Sequence, residues 1–177
     1  MKRLFVAIDI PEKIKKSILE MELEENLFRR VPFDQLHITL FFLGNTHKKH
    51  VPEIISLLSD IFIEPFTIYT DKPGAFPSVK NPRVIWIGLN NTEKLVGLHH
   101  KVAEKIGCYH SDMPDKKYIP HITIARTRKK ISNPAIYFDK LCFKGGNKIC
   151  VDSFHLYESC LSSDGATHKV LKSFYLN

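Results

Sequence analysis

The chain has 177 residues, of which 44% are hydrophobic, 11% aromatic and 25% charged, so it is long enough and apolar enough to bury a proper core in one domain or two small lobes. That balance excludes a disordered chain, and no apolar run approaches the ~18 residues a membrane span needs, so no membrane association is expected. The net charge of +7 fits a polyanionic partner, although a solvated basic surface has the same composition.

Residues 3–9 read as a buried strand, too short and too soon followed by Pro11 and charge to be a signal peptide. Pro11 suits the first turn of a helix running through about residue 26, with Ile14, Ile18 and Met21 along one side. Residues 36–43 form a strand, and a helix over about 52–62 follows, opened by Pro52. Residues 66–72 read as a strand, and Lys72-Pro73-Gly74-Ala75-Phe76-Pro77 through Asn81-Pro82 as an irregular loop rich in turn formers. Residues 83–89 make a strand, residues 93–107 a helix with Leu95, Leu98, Val102 and Ile106 on one face, and residues 119–126 another strand. Residues 149–158 and 167–176 are two strands joined around Asp164-Gly165, a hairpin signal.

The order strand, helix, strand occurs twice, and the spacing from Arg3 to His37 nearly matches that from Arg83 to His121. The expected fold is therefore α+β: one domain over residues 1–177, built as two pseudo-symmetric lobes with interleaved or shared terminal strands.

The duplication carries a motif. His37-Ile38-Thr39-Leu40 returns as His121-Ile122-Thr123-Ile124. In an extended strand, His and Thr at i and i+2 point the same way while the apolar residues point into a core. Each copy thus offers an imidazole beside a hydroxyl. Phe41 shares that face by strict alternation and could stack on a base, although an aromatic in an apolar strand is more often core. Phe76, in the turn-rich loop, is the better stacking candidate on grounds of exposure. His47, His50, His99 and His100 read as surface residues, and His155 and His168 lie on the terminal hairpin without a partner motif. Cys108, Cys142, Cys150 and Cys160 show no Cys-x-x-Cys spacing, which fits reduced, non-catalytic thiols in the cytoplasm.

The chain resembles the two-histidine phosphoesterase superfamily, and within it the RNA 2′,3′-cyclic phosphodiesterases long labelled 2′-5′ RNA ligases. The resemblance rests on the two motifs, on Arg3-Leu4-Phe5-Val6-Ala7-Ile8, Phe76-Pro77, Pro82-Arg83-Val84-Ile85-Trp86 and Pro120, and on Leu156-Tyr157-Glu158-Ser159 near the end. It implies two lobes, each with an antiparallel sheet and outer helices, facing one another across an active-site cleft. It also implies His37 as proton donor and His121 as proton acceptor.

The residues themselves support that chemistry. Opening a cyclic phosphodiester in line needs a base for water and an acid for the departing ribose oxygen, and two imidazoles can take these parts near neutral pH with no metal or cofactor. Thr39 and Thr123 can donate to the non-bridging oxygens, where charge gathers. Arg126 matches phosphate as a bidentate fork. Strict alternation turns Arg126 away from His121, so it reaches the site only if the strand twists, bulges or ends there.

Two other readings stay open. One is a metal-dependent hydrolase using His37 and His121 as ligands, disfavoured because no carboxylate or third His stands at ligand spacing. The other is an RNA-binding module without turnover. The expected partner is an RNA with a 2′,3′-cyclic phosphate end, such as a tRNA fragment, or a small cyclic nucleotide. A monomer is expected, since two lobes supply both halves of the site.

Overall fold

Leu4 to Ile8 are all buried, so the first strand, β1 (Lys2–Asp9), is covered on both faces, which is why its sequence is an unbroken apolar run. The structure is a computed structural model and describes residues 1–110, 117–131, 133–162 and 165–177. Helix α1 (Glu12–Leu19) opens at Pro11 and buries Ile14 and Ile18. It ends well before residue 26. Glu20, Glu22, Glu24 and Glu25 follow it, and carboxylates are unfavourable at the negative end of a helix.

A short strand, β2 (Phe28–Arg30), and one turn of 3-10 helix over Phe33–Gln35 lead to β3 (His37–Thr46). Helix α2 (Val51–Ser59) carries Pro52 in its first turn. The loop expected over 72–82 is instead a hairpin of β4 (Phe66–Ser78) and β5 (Asn81–Asn90). Pro73 and Pro77 each sit at a register shift in that hairpin, where a strand tolerates a missing N–H. Helix α3 (Glu93–Ile106) buries Leu95, Leu98, Val102 and Ile106, as its spacing predicts. Then come β6 (His121–Thr127), a short helix α4 (Pro134–Lys140) that the sequence reading does not anticipate, and β7 (Lys148–Val151), β8 (Ser153–Ser162) and β9 (Gly165–Tyr175). Ser162 and Gly165 pair across the terminal hairpin, whose expected turn residue Asp164 lies outside the described residues.

Among the described residues, nine strands form one antiparallel α+β sheet in the order β7-β4-β5-β6-β3-β1-β8-β9, with β2 on the edge of β6. Two sheets, one per lobe, were expected; the two motif strands instead join through one pair, Ile38 and Ile122, and β2 of the first half pairs with β6 of the second. The strand expected over 149–158 is likewise two strands. Asp152 alone separates β7, which pairs with β4, from β8, which pairs with β1. Adjacent residues are only about 3.8 Å apart, so strands far apart in the sheet order meet at Asp152, and the sheet must curl.

The apolar sides of α1, α2 and α3 share one core with β1, β3, β5 and β6, where Ile38, Leu40, Ile54, Leu98, Ile122 and Ile124 are all buried. Each such side chain contributes about 1.5–3 kcal/mol on leaving water. Lys15 is drawn into this layer by Asp9, 2.6 Å away.

Candidate active site

Ile38 and Ile122 are fully buried opposite each other. Their strand neighbours His37, Thr39, His121 and Thr123 therefore turn to the other side of the sheet. Continuing the antiparallel register one residue either way sets Thr123 across from His37 and His121 across from Thr39.

Both motif strands then bulge at the same motif position. Against β1, Val6 pairs with Phe41 and Ala7 with Thr39, so Leu40 is the extra residue; against β5, Ile85 pairs with Ala125 and Trp86 with Thr123, so Ile124 is the extra residue. A bulge resets which face the following residues take. Leu40 and Phe41 are both buried, as are Ile124 and Ala125, and the next residues, Phe42 and Arg126, come round to the histidine side. This brings Arg126 to the site. It also takes Phe41 off the histidine face and leaves it 8% exposed in the core, the usual place of an aromatic in an apolar strand, whereas Phe42 is 42% exposed on the cleft.

The two histidines are held alike. His37 Nδ1 donates to the Gln35 carbonyl at 2.7 Å and His121 Nδ1 donates to the Ile119 carbonyl at 2.6 Å. A carbonyl can only accept, so Nδ1 carries the proton in the neutral ring and Nε2 is left for chemistry. His37 Nε2 lies 3.0 Å from the Thr39 hydroxyl. Burial pulls the pKa of His37 down to about 4, against the pull of the Gln35 carbonyl and with help from nearby His168. Burial also lowers that of His121, opposed by the Ile119 carbonyl and reinforced by the Arg126 charge. Both rings are thus neutral in the free protein near pH 7.

His37, Thr39, Phe42, Thr123 and Arg126 line one open cleft of about 310 Å³. Arg3, Arg29 and Arg30 also line it, which gives the basic composition a place to act. The Arg3 guanidinium lies 5.1 Å from the Phe42 ring centre. His121 and Phe76 do not line this cavity. The His121 ring instead meets Phe76 edge-on at 5.0 Å and Trp86 at 6.1 Å. Phe76 is half-buried in β4 rather than free in a loop. Trp86 lies across Gly74, where any Cβ would collide with the indole.

Three contributors had no signal in their local sequence. His168 from β9 lines the cleft and stands edge-on to His37 at 5.5 Å, and Gln35 ties its side-chain amide to the Ala166 carbonyl at 2.5 Å. His99, read as a surface residue, instead donates from Nδ1 to the Leu40 carbonyl at 2.7 Å, since α3 packs on β3. Among the described residues, no three His, Cys, Asp or Glu side chains are grouped to hold a metal ion. No helix among them is long and apolar enough to cross a membrane.

Comparison with known proteins adds descent to this geometry. The chain is similar to proteins named RNA 2′,3′-cyclic phosphodiesterase from Archaeoglobus fulgidus, at 33% identity covering 97% of this chain and 99% of that one, and from Thermotoga maritima, at 32% identity covering 96% and 92%. Among solved structures it is similar to a Thermus thermophilus protein, at 25% identity with a TM-score of 0.80 over 98% of this chain and 97% of that one. Escherichia coli LigT complexed with 3′-AMP shares the fold, with a TM-score of 0.82 at 24% identity over 99% and 98%. A family model described as the 2′-5′ RNA ligase superfamily matches residues 10–159, which takes in both motif strands and both bulges, and the chain belongs to that superfamily.

Proposed function

We propose that the protein is an RNA 2′,3′-cyclic phosphodiesterase that opens the cyclic diester to a 2′-phosphomonoester without a metal ion. The observation that carries this reading is the pairing of Ile38 with Ile122, which turns two imidazoles and two hydroxyls to one side of the sheet, where His37, Thr39 and Thr123 line a cleft with four arginines. The names of the relatives point the same way.

In this reading His121 Nε2 takes a proton from water as the water oxygen attacks phosphorus. The P–O3′ bond breaks, and His37 Nε2 delivers a proton to the departing 3′-oxygen. Thr39, Thr123 and Arg126 donate to the non-bridging oxygens as charge builds there. Because burial keeps His37 neutral in the free protein, the anionic substrate has to bring the proton by raising the pKa of that ring. A 5′-hydroxyl in place of water gives a 2′-5′ linkage by the same step, which is reversible ligation. Phe42 offers its ring face to the base next to the reacting phosphate, and Phe76 braces His121.

The preferred substrate is an RNA end, tRNA fragments included, with a small cyclic nucleotide as the other source of the same chemistry. We read residues 1–177 as one domain of two pseudo-symmetric lobes, which the mirrored strand order β9-β8-β1-β3 and β7-β4-β5-β6 supports. The protein then acts as a monomer, in the cytoplasm.

The test is product analysis on short oligonucleotides ending in 2′,3′-cyclic phosphate, with and without a chelator. A 2′-phosphate end in both conditions is expected. Turnover lost in chelator makes the protein a metal-dependent hydrolase, and binding without turnover makes it an RNA-binding module.

A further inference from the structure

A bulge drops its extra residue out of the ladder, and the carbonyl groups around it need other donors. At the β6 bulge the backbone provides one: the Val31 N–H donates to the Ile124 carbonyl at 2.8 Å. At the β3 bulge the donors are side chains. His99 Nδ1 donates to the Leu40 carbonyl at 2.7 Å, and the Tyr118 hydroxyl donates to the carbonyl of Thr39 at 2.9 Å. The two rings stack on each other, 3.9 Å between centres and 11° from parallel. Burial raises the pKa of Tyr118, so its hydroxyl remains a donor at any working pH.

Both side chains belong to the other half of the chain. His99 projects from α3, and Tyr118 stands on the segment that enters β6, where the next carbonyl, that of Ile119, orients the His121 ring. One short run therefore grips the Thr39 backbone at one residue and the His121 imidazole at the next. Ladder pairing between β3 and β6 consists of Ile38 and Ile122 alone among the described residues, so the Tyr118 bond is a second tie between the motif strands.

We propose that Tyr118 and His99 are positioning residues: stacked together, they clamp the Thr39–Leu40 backbone and so set the Thr39 hydroxyl and the separation of the two motif histidines. This rests on the reading of His37 and His121 as the acid and base. Neither ring lines the cleft, so the pair acts on geometry rather than on substrate capture. A misplacement of about 1 Å in a reacting constellation costs on the order of 10²-fold in rate.

The experiment measures kcat and KM on a cyclic mononucleotide for wild type, Tyr118→Phe, His99→Asn and His99→Leu, with a thermal midpoint for each. Tyr118→Phe keeps the stack and loses only the donor. It should lower kcat about 10- to 100-fold with KM within about twofold, a split that general loosening would not produce. An Asn amide places its nitrogen near the position of Nδ1, so His99→Asn should retain most of the rate that His99→Leu loses. A Tyr118→Phe kcat within about twofold of wild type, a loss carried by KM, or equal damage from His99→Asn and His99→Leu overturns the proposal. If wild type itself shows no turnover, the functional reading fails, and the clamp is judged by NMR of the imidazoles. The His37 Nε2 signal, which reports the Thr39 hydroxyl, should then shift in Tyr118→Phe, and an unshifted signal overturns the clamp.

Discussion

Ile38 stands directly across from Ile122, and this one fully buried pair joins the two halves of the sheet while facing the histidines of both motifs away from the core. His37 and His121 are only partly buried and stand on the far side of the sheet from Ile38 and Ile122, so replacing either with alanine leaves that core pair untouched.

His37→Ala and His121→Ala should therefore fold normally and each lose ~10²–10⁴-fold in kcat/KM, the usual contribution of a general acid or base. The double variant should be little worse than the worse single, because the two act as a unit. Hydrolysis of a cyclic nucleotide, with circular dichroism as the folding control, checks this. Near wild-type turnover in either single variant would refute the two-histidine mechanism.

Thr39→Val and Thr123→Val keep strand propensity and approximate shape while deleting one donor each. Loss of an oxyanion-type donor commonly costs ~10²–10³-fold, and it should appear in kcat. Arg126→Ala should weaken KM as well, since a guanidinium attracts the phosphate before it stabilises the transition state. Steady-state kinetics on one substrate separates the two patterns.

The bulge at Leu40 makes neighbouring phenylalanines opposites. Phe41→Ala should cost about 3–5 kcal/mol of stability, as a deleted core aromatic does, while Phe42→Ala should leave stability nearly unchanged and raise KM. Urea denaturation and substrate titration of the two variants test this together. If Phe41→Ala proves the binding variant, the assigned register is wrong.

Acid should destabilise the ligand-free protein through its histidines. His37 titrates near 4 in the fold against an ordinary 6.5, so below about 6.5 the unfolded chain takes up a proton that the folded one refuses. Stability is thus complete above that value, falls as the pH drops toward 4, and levels off below it. His99, His121, His155 and His168 are shifted in the same direction and add to the loss. Urea midpoints at pH 7 and pH 5 should fall less for His37→Asn than for wild type. The same shift predicts net proton uptake when a phosphate ligand binds near neutral pH, which calorimetry in buffers of different ionisation enthalpy measures.

The motif was legible because side-chain alternation has period 2 and both copies obey it from His to the second apolar residue. Alternation fails one residue later in each strand, where Leu40 and Ile124 bulge. For Arg126 the chemistry demands such a bulge; the same displacement applied to the first motif points to Phe42, where strict alternation points to Phe41. His168, His99 and Tyr118 were out of reach for another reason. Their places depend on the hairpin of β8 and β9 and on helix α3 coming back to β3, and such contacts leave no trace in a local window. The break at Asp152 was hidden likewise, because nothing in an apolar, alternating run says that its two ends pair with different neighbours.

The crossing at Asp152 also orders events at the ribosome. Strands β4, β5, β6 and β7 lie within one stretch of chain that ends before β8 begins, so their pairing needs nothing translated after it. The outer edge of β1 waits for β8, which is translated only after β4, β5, β6 and β7, and such distant partners are slow to find each other. Until then Leu4, Val6 and their neighbours have β3 on one side and no strand on the other, which makes nascent β1 the segment most in need of protection from aggregation.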